Sequence, residues 1–573
     1  MLPSRGYFAS ENVGFEGDFI WQSLPRETFR LERAALGCST HGWPYYILRN
    51  EVTGEMFFMG LAWSGNLFAE FSYRYNALLS FRLGPLAPAP LRVLAPGETI
   101  RSPQVHIGPL HTTLDQAVKQ WHRHMRTSVI APRPPGKQMY TAAGRVVEEP
   151  GDWLLREIDL AAEMGVEGFM VDAGWYGDKF AGWPELRGDW TDGEWLPGGL
   201  AGVRKYIHGQ GMLFGLWQEP EALSGQSRMR REHPEWVLRT DDDRACGEAL
   251  DLPNLEAARY FEDAVLRIFR DYQADFYKPD YNVRVGEGGQ IVRDGYAESE
   301  FWRHYEVLSR VFQRVRREFP GGALENCASG GGRNDLGMLS LFHYCSESDV
   351  SVFPYGIRAI NAMTLFIPPE AICYYHNFQP LGFKPGGPKP YYHNHPHLPH
   401  LTASLETGLR VTLFATSIFT GFGAQQSDRD TAYYRQTRRY IDLHKGFCRP
   451  VLSGQPNVYH HTPDIGLGPG PWCVLEYAAP DRSRGYAGVF KFDNNRPDNT
   501  FRPRRIDPAG AYKVTWDNEN VVVEMAGLEL RNTGLRIELD APLTSELIMY
   551  EQVRSPSPMP RNALDAKQVG PGV

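Results

Sequence analysis

The chain has 573 residues, with 60 Lys+Arg against 68 Asp+Glu and a formal net charge of −8. That acidic balance argues against a general nucleic-acid binder. A content of 42% hydrophobic and 22% charged residues describes a globular chain rather than a disordered one. No apolar stretch approaches the ~18 residues of a transmembrane helix. The opening MLPSRGYFASENVGFEGDF has no apolar run behind Arg5, so neither a membrane span nor a secretory leader is expected.

Residues 1–135 alternate short aromatic and β-branched runs with turns, as in YYILRN (45–50), EMFFMGLAW (55–63) and LFAEFSYRY (67–75). This rhythm predicts an N-terminal antiparallel β-sandwich, closed by a helix over 115–126 and the stiff segment APRPPGK (131–137). Over 136–450 short apolar runs alternate with helical patterns. The candidate strands are 138–144, 166–175, 212–220, 248–252, 274–282, 322–330, 341–349 and 370–377. After Asn254, a plausible helix cap, Phe261, Ala264, Val265, Ile268, Phe269 and Tyr272 recur every three or four residues and mark one buried helix face. Eight strands with crossovers predict an α/β fold, a (β/α)8 TIM barrel. Residues 451–553 return to β character and predict a small C-terminal antiparallel sandwich; the Pro- and Gly-containing tail 554–573 is expected to be mobile.

Cys38, Cys246, Cys327, Cys345, Cys373, Cys448 and Cys473 are dispersed, with no CxxC pair. Reduced thiols and a cytoplasmic setting are therefore expected, not a disulfide framework or zinc site. Of the 14 Trp, seven fall between Trp153 and Trp236. Their flat amphipathic faces suit the C–H faces of sugars, and they serve equally as core filling.

In TIM barrels chemistry sits at the C-terminal ends of the strands. Asp172, Glu219, Lys278, Asp280, Asn326, Cys327 and Asp349 end the candidate runs, and a buried strand does not finish on a charge unless that charge is used or paired. Lys278, Asp280 and Asn282 share one strand face. The ammonium favours an ionised Asp280, suited to attack on an acetal carbon; the same pair could instead close the barrel end. Asp349 follows 69 residues later. Two carboxylates converging across a barrel mouth are what glycoside hydrolysis requires, with Glu347 a rival for the acid and a solvated acidic loop the simpler alternative. The Gly-rich ENCASGGGRND (325–335) allows close backbone approach but matches no phosphate loop. His393, His395, His397 and His400 are interrupted by Pro396 and Pro399 and fit no metal motif, so no metal and no organic cofactor are expected.

These residues resemble glycoside hydrolase family 36, the melibiase-type α-galactosidases. The similarity runs in order through VDAGWYGD (171–178), GDW (188–190), GMLFGLWQEPEAL (211–223), HPEWVL (233–238), LDLPNLEA (250–257), YKPDYN (277–282) and ENCASGGGRNDLGML (325–339). The resemblance implies a retaining α-glycosidase acting on terminal α-galactosides, with Asp280 as nucleophile and Asp349, placed after a seventh strand, as general acid/base. It implies that Lys278 and Asp172 bind sugar hydroxyls, Cys327 and Gly330 line the O2 side, and Trp175 and Trp217 wall the pocket. The partner implied is a carbohydrate, with no nucleic acid and no membrane, and a homo-oligomer is left open.

The chain departs from the family pattern at Ala173, where a second Asp is usual, at Pro279 in place of Trp, at TAAGR (141–145), and in SESDVS around Asp349. These departures keep open a related sugar, such as an α-N-acetylgalactosaminide or a β-L-arabinopyranoside, and transglycosylation. From other classes, a non-catalytic carbohydrate-binding protein and a metal-dependent hydrolase using the His-rich stretch are the rivals.

Overall fold

The computed structural model describes residues 2–3, 19–20, 24–25, 27–33, 43–376 and 403–553, less short gaps at 51, 74–78, 138, 241–242, 284, 287, 350–352, 421, 423–431, 464–469, 494–495 and 497. The His-rich stretch 393–400 and the tail 554–573 lie outside the described residues.

Eight parallel strands close into a barrel: Thr141–Arg145, Gly168–Val171, Leu213–Gln218, Phe276–Pro279, Ala323–Asn326, Tyr344–Ser346, Ile372–His376 and Thr416–Phe419. The last pairs back onto the first, Ser417 opposite Thr141. These runs are short and almost wholly buried, as parallel strands covered on both faces must be. The periodicity after Asn254 is realised as helix Leu255–Arg270, whose N-cap Asn254 side chain accepts from the backbone of Glu256 and Ala257. The helix expected near 115–126 spans Leu114–Ser128.

Two strand expectations are corrected. The run at 248–252 is not a barrel strand; Ala245–Leu250 pairs antiparallel with Val237–Arg239 in a hairpin outside the barrel. The eighth strand is instead Thr416–Phe419, a four-residue run too short to carry a period. Asp280 therefore ends the fourth barrel strand, and Asp349 follows the sixth, not a seventh.

Before the barrel, two three-stranded antiparallel sheets face each other. One holds Thr28–Arg33, Leu67–Tyr73 and Leu79–Pro85, and the other Tyr45–Arg49, Met56–Leu61 and Val105–Leu110. Alternation along Tyr45–Arg49 divides its side chains. Tyr46 and Leu48 pack between the sheets with Leu31, Met59, Ala69 and Phe71, while Tyr45 and Ile47 join the barrel core. After the barrel, six antiparallel strands form one sheet in the order Asn457–His460, Trp472–Ala478, Arg484–Lys491, Thr544–Gln552, Ala511–Trp516 and Val521–Ala526. The pair Asp498–Phe501 and Leu535–Glu538 lies beside it. Buried Arg410, on helix Leu405–Val411, ties this sheet to the barrel through Asp517 (2.6 Å) and the Ser545 hydroxyl (3.1 Å).

Candidate active site

Asp280 is 6% exposed, just past Pro279 at the end of the fourth strand. Its carboxylate accepts hydrogen bonds from Trp217 Nε1 (3.1 Å) and Asn282 Nδ2 (2.9 Å) on Oδ2, and from the backbone N–H groups of Tyr281 (2.7 Å) and Ser329 (3.1 Å) on Oδ1. Burial pushes this carboxyl up, but the Lys278 charge and the donors from Asn282, Cys327 and Tyr281 outweigh it and hold it below the usual range. The group is an oriented anion.

Lys278 sits among acidic groups. Burial opposes its charge, yet Cys327, Asp172, Glu325 and Asp280 together keep the ammonium protonated well into the alkaline range. Its Nζ is 3.9 Å from Asp172 Oδ2 and 4.1 Å from the centre of the Tyr375 ring. Asp172 follows the second strand, where its Oδ1 accepts the Ala173 N–H at 2.7 Å. Burial raises its pKa, and Lys278 limits the rise.

The Gly-rich stretch joins the two proposed carboxylates. Ser329 donates its N–H to Asp280, and its hydroxyl lies 2.6 Å from Asn282 Oδ1. The next residue, Gly330, has φ +83°, and a Cβ there would collide with the backbone of Ser348 and Asp349. Only glycine combines that conformation with that approach. Cys327 is fully buried, and its thiol is pushed up first by burial and then by the charges of Asp280 and Asp349. Cys327 thus feels both Asp280 and Asp349, and Gly330 packs against the Asp349 backbone.

Glu347, the rival acid, is fully buried, with its charge felt by Cys345 and Tyr374 inside the barrel. Asp349 is partly exposed. Trp217, 2% exposed, is fixed against Asp280. Trp175 is fully buried, and its Nε1 donates to the Trp217 carbonyl at 2.8 Å. With no exposed face, it stands behind Trp217.

Four participants escaped the sequence reading. Trp183, 36% exposed, stands edge-on to Trp217 with ring centres 6.4 Å apart. Tyr375 carries the Lys278 ammonium on its face and donates its hydroxyl to Glu325 Oε1 at 2.7 Å. Glu325 itself, fully buried, has its pKa raised by burial. Ser329 was hidden within the Gly-rich run. Exposure of one Trp in a crowded series and alternation along EAICYYHN were the available signals. Among the described residues no cluster of three or more His, Cys, Asp or Glu is arranged to hold a metal.

The N-terminal sheet braces the same loop from behind. Trp43 Nε1 donates to the Gly331 carbonyl (2.7 Å), the Tyr45 hydroxyl to the Asn334 carbonyl (2.9 Å), and the Ser64 hydroxyl to Asp335 Oδ1 (2.9 Å).

With this geometry in place, residues 102–376 match the Melibiase family model. Over that stretch the chain is similar to the melibiases. Among curated relatives, an α-galactosidase of Escherichia coli is 28% identical over 64% of this chain and 53% of its own length. α-Galactosidase C of Emericella nidulans is 24% identical over 94% of this chain and 71% of its own. The chain spans about half the length of several curated relatives it matches. The solved structure of GH36 α-galactosidase AgaA from Geobacillus stearothermophilus superposes with a TM-score of 0.80 at 21% identity, covering 94% of this chain and 74% of that one. The matched stretch includes seven of the eight barrel strands and every proposed site residue, and no helix among the described residues is long and apolar enough to cross a membrane.

Proposed function

We propose that this chain is a retaining α-glycosidase hydrolysing terminal α-galactosides. The observation that carries the reading is the ionised, multiply hydrogen-bonded Asp280 at a strand end, joined through residues 327–330 to Asp349. In the first step Asp280 Oδ attacks the anomeric carbon while Asp349 gives its proton to the departing glycosidic oxygen. A glycosyl–aspartate ester forms. Asp349, now a carboxylate, takes a proton from water, whose oxygen displaces Asp280 and restores the original anomeric configuration. Retention requires carboxyl groups roughly 5–5.5 Å apart.

Lys278 and Asp172 present a cation and a carboxylate to the sugar hydroxyls, and Trp183, backed by Trp217, offers aromatic surface to its C–H face. The names of the relatives support galactose as the sugar. Asp172 spends one oxygen on the Ala173 N–H, and buried Ala173 offers only a methyl group. This favours, as a second reading, a ring lacking the C6 hydroxymethyl, the β-L-arabinopyranoside.

The decisive variant is Asp280→Ala on an activated aryl α-galactoside. Turnover should fall by about 10³-fold or more, with azide restoring it and yielding the β-glycosyl azide. Unchanged turnover removes Asp280 from the mechanism. Cleavage of the aryl pentoside alone by the unmodified protein would replace galactose with the arabinopyranoside.

A further inference from the structure

In a chain of net charge −8, the C-terminal sheet region carries a concentrated positive cavity. It has a volume of about 620 Å³ and is lined by Arg482, Arg502, Arg504, Arg505, Arg531 and His461. Among the described residues no carboxylate side chain lines it. Nearby acids serve only its rim: Asp115 pairs with Arg504, while Glu476 accepts His461 Nε2 at 2.8 Å and the Arg504 N–H at 3.1 Å.

The other guanidiniums lack such neutralisation. Arg482, Arg502 and Arg531 have no carboxylate partner among the described residues. Arg502 Nε donates to the Asn532 carbonyl at 3.2 Å. Arg505 Nη2 donates to the Pro480 carbonyl at 2.8 Å, while its Nε is buried without an acceptor. Like charges gathered in this way repel one another, and Lys119, lowered first by burial, is lowered further by Arg505.

The backbone is committed to the arrangement. Arg482 lies in the left-handed region at φ 67°, which side-chain-bearing residues seldom adopt, and the Tyr512 hydroxyl bonds its carbonyl at 3.1 Å. Pro503 fixes φ within the run Arg502–Arg505. Planar guanidinium forks match the oxygens of a phosphate group two at a time, and the volume is that of a small-molecule site, typically ~300–1,000 Å³.

We propose that this cavity binds a small phosphate monoester. The site is separate from the barrel mouth and independent of the activity assigned there.

The test is calorimetric titration of the full chain with glucose 6-phosphate, inorganic phosphate and neutral glucose at constant ionic strength. The phosphate ester should bind saturably and glucose should not. In the Arg502→Gln/Arg531→Gln variant the affinity should fall by about tenfold or more. Both positions are exposed, so melting temperature and aryl-glycoside turnover should match the unmodified protein without ligand. Inorganic phosphate binding as tightly as the ester would assign the free oxyanion as occupant of the same cradle. No saturable binding, or equal affinity in the variant, overturns the proposal. If the double variant melts early, Arg531→Glu alone provides the same readout.

Discussion

Glu219 and Glu221 are two residues apart in the same QEPE run, both buried, and they meet opposite fates. Glu219 is pushed up to about 7, first by burial, with Asp280's charge adding to it; Arg187 and Asn282 only partly offset the rise. Glu221 is held at about 2, because Arg333 and His304 overcome an equally complete burial. Arg333 Nη2 meets Glu221 Oε2 at 2.8 Å, its Nη1 meets Oε1 at 3.1 Å, and His304 Nε2 lies 2.7 Å from Oε1. Glu219 shares Arg187 with Glu248 and shares Asn282 with Asp280. Burial alone therefore does not set ionisation; exclusive partners do. The barrel uses one glutamate as a permanent strut for the Gly-rich loop and keeps the other poised beside Asp280.

The comparison is most severely stressed by Arg333→Met. It would leave Glu221 buried with His304 alone, and breaking a buried pair from one side costs about 3–5 kcal/mol. Urea unfolding at neutral pH should show a loss in that range. Adding Glu221→Leu should recover much of it, since a matched apolar pair carries no desolvation penalty. A single variant as stable as the unmodified protein would mean that Glu221 is not held ionised by Arg333. Arg333 also stacks 4.2 Å over Tyr281, the neighbour of Asp280, so turnover should fall with stability.

Local signals carried much of the fold. The Leu255–Arg270 helix was legible because its apolar spacing and Asn254 cap agree, and the strand ends were legible because charges terminate apolar runs. The fourth and eighth strands were misjudged because pairing partners, not local pattern, decide between a hairpin strand at Ala245–Leu250 and a barrel strand at Thr416–Phe419. Within the site, Asp280 and Lys278 could be placed on one face from alternation. What escaped was non-local: that Trp175 stands behind Trp217, and that Trp43 reaches Gly331 across 288 residues. The contrast between Glu219 and Glu221 was also invisible, since it depends on arginines distant in the chain.

A second test acts on Glu219 by pH. Its folded-state value of about 7 exceeds the ordinary 4.5, so between those values the folded protein binds more protons than the unfolded chain. The stability contributed by this group falls as pH rises through that window. Glu221 has the opposite sign: its contribution is full above about 4.5 and is lost as pH falls toward 2. Glu219→Gln removes the first dependence and leaves the second. Relative to the unmodified protein, the variant should gain on the order of 3 kcal/mol at most between pH 5 and pH 8. Denaturant midpoints for the two proteins that run parallel across this range would refute the elevated value.

The gentlest perturbation reaches the comparison from outside the barrel. Trp43 holds the Gly331 carbonyl, two residues before Arg333 and two after Ser329, so one bond steadies both the Glu221 strut and the donor to Asp280. Trp43→Phe keeps one aromatic ring, deletes that bond at a cost of about 1 kcal/mol, and adds a cavity cost for the lost indole atoms. Trp63→Phe is the matched control: it deletes a bond of the same length, 2.7 Å, to the Asn66 carbonyl in the same N-terminal region, and leaves the Trp43 bond to the loop intact. Both variants should lose similar stability, but only Trp43→Phe should lower kcat, by a few-fold, with KM unchanged. On the proposed mechanism, a loosened loop would misalign Asp280 during bond making and leave the proposed hydroxyl contacts of Lys278 and Asp172 in place. Equal kcat in the two variants would reduce the N-terminal sheet to a packing partner, and the poise of the two glutamates would then be a property of the barrel alone.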